Sequence, residues 1–278
     1  MSSYDGPVLD DHLHLDADNR GIEAVREFAR AGGTHLFIVN QPSWKLGVEA
    51  TEPADFRPVF EETIDLAARA SEVLPGDAWP VLGVHPGLVS RLVDGGSSAE
   101  SARDLMQGGL EVAAEYAADG PAVALKSGRP HYEVEAAVWE ASNAVIRHAL
   151  DLAAETGVSL QLHTEATEDL TEVGEWAQQA GLPAERVIKH YASGTCAGVT
   201  PSVIARKEAL LTAAEADEPF LMETDYLDDP DRPGAVLGPK TVPRRVDWLA
   251  ERGHDEALRR AHVETPRRVY GIDTRDAP

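Results

Sequence analysis

VLDDHLHLD, residues 8–16, is the most informative segment of the 278-residue chain. Its apolar lead-in predicts a buried strand. Because side chains alternate faces along a strand, Asp10, His12 and His14 are expected on one face. Two imidazoles at the end of a strand can bind one metal ion at ~2.0–2.1 Å each. This interpretation requires further ligands from the rest of the chain.

Strand-like and helix-like segments alternate along the whole chain. Because helices separate nearly all the strands, this alternation predicts a parallel sheet. Eight such units predict an α/β fold, a (β/α)8 TIM barrel, as a single domain over residues 1–278 with its site at the carboxyl ends of the strands. A doubly wound open sheet is the alternative, but no Gly-x-Gly-x-x-Gly motif follows any strand. The predicted strands span residues 8–15, 35–40, 79–85, 122–127, 159–164, 186–191, 199–205 and 219–225.

The charge balance is strongly acidic, with 48 Asp and Glu residues against 25 Lys and Arg and a net charge of −23. The acids are spread over the chain and Lys is scarce, which predicts a halophilic protein whose self-repulsion is screened by concentrated salt. Because there is no signal-peptide pattern and no apolar run approaching ~20 residues, we expect a cytoplasmic protein with no membrane partner. The single cysteine, Cys196, excludes an internal disulfide. No feature indicates an obligate protein partner.

Polar residues recur where the predicted strands end. In a barrel these ends meet at one mouth, and unpaired polar groups buried there would cost free energy. A shared metal site removes that cost. The Pro- and Gly-rich segment 230–243 is predicted to be a loop over this mouth. The polar residues at the strand ends are His12, His14, His85, Lys126, His163, His190 and Asp225.

These motifs resemble the TatD family of metal-dependent hydrolases, which belongs to the amidohydrolase superfamily of TIM barrels. The similarity lies in Asp-x-His-x-His-Leu-Asp at 10–16, Gly-Val-His-Pro at 83–86, one histidine after each of two later strands, and Glu-Thr-Asp at 223–225. It runs from residue 8 to about 225 and more weakly over 267–271. It implies a site of one to three metal ions (Mg, Mn or Zn) that cleaves phosphoester bonds, typically as a deoxyribonuclease.

The resemblance also implies a ligand set. His12 and His14 would hold the first ion with Asp225, and His163 and His190 would hold the second. Two divalent ions would lower the pKa of a bridging water and bind the attacking and leaving oxygens. Asp225 can take the proton of that water. Glu223 lies on the same face of the strand and is expected at the site, as a catalytic residue or a further ligand.

One position departs from the family's pattern. The family usually carries a glutamate at the end of strand four that bridges the metals, whereas this chain has Lys126 within ALKSGRPH, residues 124–131. Two alternatives remain open. Lys126 can add CO2 to form a carbamate, as related barrels of the phosphotriesterase type do, which restores a bridging carboxylate but requires the neutral amine. Alternatively, Lys126 stays charged, replaces one metal and binds substrate phosphate.

Three more residues are expected to contact substrate. Arg129 and His131 follow Lys126 and suit phosphate binding, and His85 is expected beside the metals rather than as a ligand. Three functions compete. The first is a phosphoesterase or nuclease acting on a nucleic-acid end or a small phosphoester, since the acidic surface offers no basic stripe for a long duplex. The second is a lactonase or amidase-type hydrolase with carbamylated Lys126, and the third is a non-catalytic metal-binding barrel.

Overall fold

The computed structural model describes residues 4–275, so the predicted domain limits at 1 and 278 lie outside the described part. Within it, one sheet of nine parallel strands is accompanied by ten α-helices. No described helix combines the length and apolarity that crossing a bilayer requires. The strands are β1 (Leu9–His14), β2 (His35–Val39), β3 (Ala78–Gly83), β4 (Ala124–Gly128), β5 (Ser159–His163), β6 (Val187–Ala192), β7 (Thr200–Ile204), β8 (Leu221–Glu223) and β9 (Tyr226–Leu227). The helices are α1 (Ile22–Arg30), α2 (Arg57–Ser71), α3 (Gly87–Asp94), α4 (Ala99–Asp119), α5 (Ala136–Thr156), α6 (Thr171–Ala180), α7 (Lys207–Glu215), α8 (Thr241–Ala250), α9 (Asp255–Arg259) and α10 (Thr265–Tyr270).

The strands follow one another across the sheet in chain order, from β8 back to β1, and β9 lies beyond β1. All eight predicted strands are present, but the last, predicted over residues 219–225, ends at Glu223 as β8. Thr224 and Asp225 separate it from β9, a two-residue strand that was not predicted. Strand β8 pairs with β7, and β9 pairs with β1. Between them, the backbone N–H of Asp225 donates to the carbonyl oxygen of His12 at 2.9 Å. The segment 221–227 therefore contacts both the first and the seventh strand of the sheet.

Side chains from distant strands meet in one apolar cluster on a single face of the sheet. Phe37 of β2 and Ile188 of β6 both belong to it, although four strand positions separate them in the sheet order. A flat sheet would hold them roughly 19 Å apart at ~4.8 Å per strand, so the sheet curls. Ile188 precedes His190 by two residues, so this apolar layer lies below the polar carboxyl ends of the strands. Other members from the strands are Leu9, Val39, Val81, Ala124 and Leu221.

Helix α1 packs its apolar side against the opposite face of the sheet, where it meets Leu36 and Ile38 of β2. In α1, Ile22, Val25 and Phe28 are buried and recur at the three-residue spacing typical of the apolar side of a helix. The opposite side of α1 carries exposed charges, including the pair of Arg30 and Glu23 at 2.7 Å. The alternation of apolar and charged residues therefore fixes which side of the helix faces the sheet.

Strand β1 departs from regular alternation. Its register against β2 shifts between Asp10 and Leu13. The Asp10 carboxylate accepts hydrogen bonds from the backbone N and Oγ1 of Thr224, at 2.9 and 2.6 Å. Asp10 thus ties β1 to the segment after β8, and does not join His12 and His14 as the expected neighbour on their face.

Candidate metal centre

Most of the predicted site residues line one cavity at the carboxyl ends of the strands. Its volume is about 590 Å³. His12 is fully buried next to it. Arg232, Ala235 and Val236 of the segment predicted as a loop, residues 230–243, line it, although the last three residues of that segment begin α8. The predicted residues that line the cavity are His14, His85, Lys126, His131, His163, His190 and Asp225.

The two histidines of β1 are held so that one nitrogen of each is left free. His12 Nδ1 lies 2.7 Å from Oε1 of Gln161, and His14 Nδ1 lies 2.9 Å from the carbonyl oxygen of Val39. The Gln161 amide is oriented because its Nε2 donates to the carbonyl oxygen of Asp11 at 2.9 Å. Both partners are acceptors, so each Nδ1 carries the proton and each Nε2 presents a lone pair.

These two lone pairs face each other. His12 Nε2 and His14 Nε2 are 3.3 Å apart, and Asp225 Oδ1 lies 4.0 and 3.8 Å from them. Burial lowers the pKa of His14 to about 4 and that of His12 well below its usual value, so neither ring gains a proton to relieve the contact. Two imidazole nitrogens and a carboxylate within 4.8 Å of one another form a ligand set for one divalent cation. The carbonyl partners on each Nδ1 are those that metal-binding histidines commonly have.

A second group of candidate ligands contains His12, His190 and Glu223. His190 Nδ1 lies 2.7 Å from Glu223 Oε1, without hydrogen-bond alignment, and His190 Nε2 lies 3.8 Å from Asp225 Oδ1. Glu223 Oε1 also accepts the backbone N–H of Tyr191 at 2.9 Å. Its Oε2 is buried without a well-formed hydrogen bond, and burial raises the pKa of Glu223 well above its usual value. A buried carboxylate oxygen in this state suits a nearby cation.

His163 is held differently. Its Nε2 lies 2.9 Å from Nδ1 of His131, and its ring centroid lies 5.6 Å from that of His190. Within residues 4–275, no group of three closely spaced ligand atoms includes His163. His85 packs near it, with ring centroids 5.3 Å apart, and meets Trp44 edge-on. The structure therefore brings the predicted second pair into one cavity but does not gather their ligand atoms as it does on β1.

Lys126 occupies the centre of the group. Its Nζ lies 3.5 Å from Nδ1 and 3.4 Å from Nε2 of His12, and these nearly equal distances mean that Nζ does not lie along the lone pair of Nε2. Burial lowers the pKa of Lys126 to about 8, against the opposing effect of the Glu223 and Asp225 carboxylates. Burial likewise raises the pKa of Asp225 to about 7, which the charges of Lys126 and Arg232 oppose.

Arg129 lies outside the cavity lining. Its Nε donates to Glu165 Oε2 at 2.7 Å, its Nη2 pairs with the other oxygen of Glu165, and its Nη1 donates to Asn143 Oδ1 at 3.0 Å. Its guanidinium also lies 4.4 Å from the centre of the Trp139 ring. These contacts occupy the buried guanidinium, so the expected phosphate contact of Arg129 gains no support from its position.

Four residues of the site escape the sequence analysis. Gln161 orients His12, and a signal for it exists, because it lies two residues before His163 on an otherwise apolar strand. Lys45 and Arg232 line the cavity, and Asp229 holds them both. These three come from loops, where no periodic pattern indicates which way a side chain points.

The chain is similar in sequence and in structure to several known proteins. Residues 9–271 match the family described as TatD related DNase. The uncharacterized protein MJ1127 of Methanocaldococcus jannaschii is 32% identical over 286 residues, 96% of each chain. A TatD-like protein from Archaeoglobus fulgidus has a similar structure, with a TM-score of 0.62 and 18% identity over 95% of this chain and 100% of that one. An amidohydrolase from Mycoplasma synoviae (TM-score 0.61, 15% identity, 95% and 87% covered) and a lactonase from Listeria monocytogenes (0.59, 14%, 95% and 94%) share the fold.

Proposed function

Because the chain belongs to the TatD family of metal-dependent hydrolases, we propose that it hydrolyses phosphodiester bonds. The substrate is a nucleic-acid end or a small phosphoester, and the cofactors are two divalent ions, Zn, Mg or Mn. The observation that carries this proposal is the pair of facing Nε2 lone pairs on His12 and His14 beside Asp225. Neutral imidazoles so close together are stabilised by a shared cation.

In this proposal the residues of the cavity have three roles: metal ligand, proton acceptor and substrate contact. His12, His14 and Asp225 would hold the first ion, while His190, with Glu223 behind it, and His163 would hold the second. Divalent cations held there would lower the pKa of a water molecule and polarise a phosphoryl oxygen. Asp225 would lie beside that water and take up its proton. Lys126, His131 and His85 line the space that the substrate occupies.

We also propose that the fold is a closed (β/α)8 barrel and a single domain over residues 1–278. The support for closure is that β8 pairs with β7, whereas β9, which follows it in the chain, pairs with β1. The support for one domain is that all nine described strands belong to one sheet. The carboxyl ends of the strands then form one rim around the cavity, as in other barrels of this kind.

A lactonase or amidase-type activity is the second candidate, and the environment of Lys126 favours it. Because burial lowers the pKa of Lys126 to about 8, neutral amine is present near that pH. The neutral amine adds to the carbon of CO2 and releases one proton, which leaves a carbamate whose two oxygens can bridge two ions. NMR of the metal-loaded protein in ¹³C-bicarbonate would detect the carbamate carbon. Its absence would reject this candidate and leave Lys126 as a charged residue.

The decisive experiment joins metal analysis to hydrolysis. The purified protein is assayed for bound metals, treated with chelator, and tested after addition of Mg, Mn or Zn. The substrates are single-stranded DNA, an aryl phosphodiester and simple esters and lactones. We expect cleavage of the phosphodiesters to vanish on chelation and to return with metal. Metal binding with no cleavage of any substrate would contradict both hydrolase proposals and favour the non-catalytic metal-binding barrel.

A matched pair of variants separates the site from its surroundings. His14→Ala removes one of the facing lone pairs, whereas His148→Gln changes a histidine on α5 that pairs with Glu111 at 3.2 Å, outside the cavity. We expect the first variant to lose bound metal and activity and the second to keep both.

A further inference from the structure

Two cations line the more solvent-exposed part of the cavity, since the side chains of Lys45 and Arg232 are 34% and 58% exposed and that of His14 is 12% exposed. Lys45 comes from the short 3₁₀ turn after β2, and Arg232 comes from the loop after β9. Both line the same cavity as His14 and Asp225. They are notable because the chain carries a net charge of −23, so a cavity with two cations at its mouth differs from the average surface of the molecule.

A buried carboxylate holds these two cations together. Asp229 is 6% exposed, and its Oδ2 accepts hydrogen bonds from Nζ of Lys45 at 2.9 Å and from Nε of Arg232 at 3.2 Å. Its Oδ1 accepts the backbone N–H of Asp231 at 2.9 Å. The hydrogen bond from Lys45 is the main reason that the pKa of Asp229 is lowered to about 2. Asp229 is therefore a fixed negative charge that fastens one loop to the other.

Lys45 and Arg232 keep N–H donors that Asp229 does not use. One negative charge faces two positive charges, which leaves one net positive charge. Asp229 engages only Nε of the Arg232 guanidinium, and within residues 4–275 neither Nη of Arg232 makes a hydrogen bond. Lys45 uses one of its three N–H donors. A guanidinium edge beside an ammonium offers the geometry and charge that a phosphate group accepts.

We infer that Lys45 and Arg232 bind a phosphate of a nucleotide substrate other than the phosphate that is hydrolysed. The inference rests on the proposed phosphodiester hydrolysis, in which the metal ligands take the scissile phosphate. A second phosphate bound at the mouth of a cavity of about 590 Å³ selects short nucleotide ends. It also compensates for the repulsion that an acidic surface exerts on a polyanion.

The test measures binding without hydrolysis. Isothermal titration of the chelator-treated full chain compares d(TpT), which has one phosphate, with d(pTpT) and d(TpTp), which have an extra phosphate at one end or the other. We expect the extra phosphate, at one of these ends, to tighten binding about tenfold through charge-assisted hydrogen bonds. In Lys45→Met and Arg232→Met this gain should fall below about twofold.

Lys240→Met is the matched control. It removes one positive charge from the same covering segment, but Lys240 pairs with Glu27 and does not line this cavity. The control should keep the full gain, and all variants should melt within a few degrees of the parent. The inference is overturned if the parent shows no gain at either end, or if Arg232→Met and Lys45→Met both keep it. Because no metal is present, these results stand whether or not the loaded protein cleaves phosphodiesters.

Discussion

The two sides of the cavity hold their histidines in different ways. On the β1 side, His12 and His14 each give Nδ1 to a carbonyl oxygen and direct Nε2 towards Asp225. On the side of β4 and β5, His163 Nε2 meets another imidazole, that of His131, and Arg129 is occupied by Glu165. A candidate metal ligand is therefore better identified by the hydrogen-bond partners of its other ring nitrogen than by its residue type alone.

Loss of a ligand on the β1 side should have the largest effect. We expect Asp225→Asn to reduce hydrolysis by at least about 10³-fold, more than the 10–100-fold typical for a residue behind a ligand. His163→Ala should retain the first ion. Metal content and kcat/KM measured on both variants make the comparison. Equal loss of metal from both would abolish the distinction between the two sides.

Removal of an amide that lies behind a site residue should have the next largest effect. Gln161 orients His12, whereas Asn143 bonds only to Arg129 among the site residues. We expect Gln161→Met to weaken metal affinity about 10–100-fold and Asn143→Leu to change it less than about threefold. Metal titration monitored by calorimetry measures both, and thermal melts separate loss of ligand orientation from loss of folding. Similar affinities in the two variants would contradict the ranking.

Lys126 belongs to β4 and contacts His12 of β1, so its variants test whether one residue affects metal binding on both sides. If a carboxylate at this position bridges two ions, Lys126→Glu should keep both metal and activity within about tenfold of the parent, whereas Lys126→Met should lose the second ion. Metal stoichiometry and kcat distinguish the variants. Loss of metal and activity in Lys126→Glu would instead assign a role to the lysine charge itself.

The smallest effect on catalysis should come from the ion pair of the β4 and β5 side. Glu165→Gln leaves the buried Arg129 with a neutral partner, and Glu165 is partly exposed. We expect a loss of about 1–2 kcal/mol in the free energy of unfolding, with kcat/KM within about threefold of the parent. Denaturant unfolding and steady-state kinetics measure the two quantities. A large catalytic loss at unchanged stability would return Arg129 to the substrate site.

Much of the fold can be predicted from the sequence, because side chains that are buried at regular intervals in strands and helices give a regular spacing of apolar residues. The eight predicted strands are present, and the apolar and charged residues of α1 face as their spacing predicts. The break between β8 and β9 at Thr224 and Asp225 could not be predicted, because it depends on hydrogen bonds from Asp225 to His12 and from Thr224 to Asp10. Those residues are distant in sequence, and no local pattern records their contact.

The candidate site is predicted in part for the same reason. Strand ends converge, so position along the chain alone predicts that His12, His14, His190 and Asp225 lie close together. The partners that decide their chemistry are set by side-chain contacts between strands and loops. Glu165 claims Arg129, and Asp229 aligns Lys45 with Arg232, and none of these pairs is adjacent in the chain.

The segment between β8 and β9 would link metal binding to the stability of the sheet. Asp225 adopts a left-handed backbone conformation with φ of 49° at the joint where the final strand meets β1. An ion held by His12 and Asp225 would tie β1 to the segment between β8 and β9, so that cation affinity and the stability of this part of the sheet would be thermodynamically linked. Chelation should then loosen the seam between β1 and β9 first, and amide exchange at that seam would report it before any other strand.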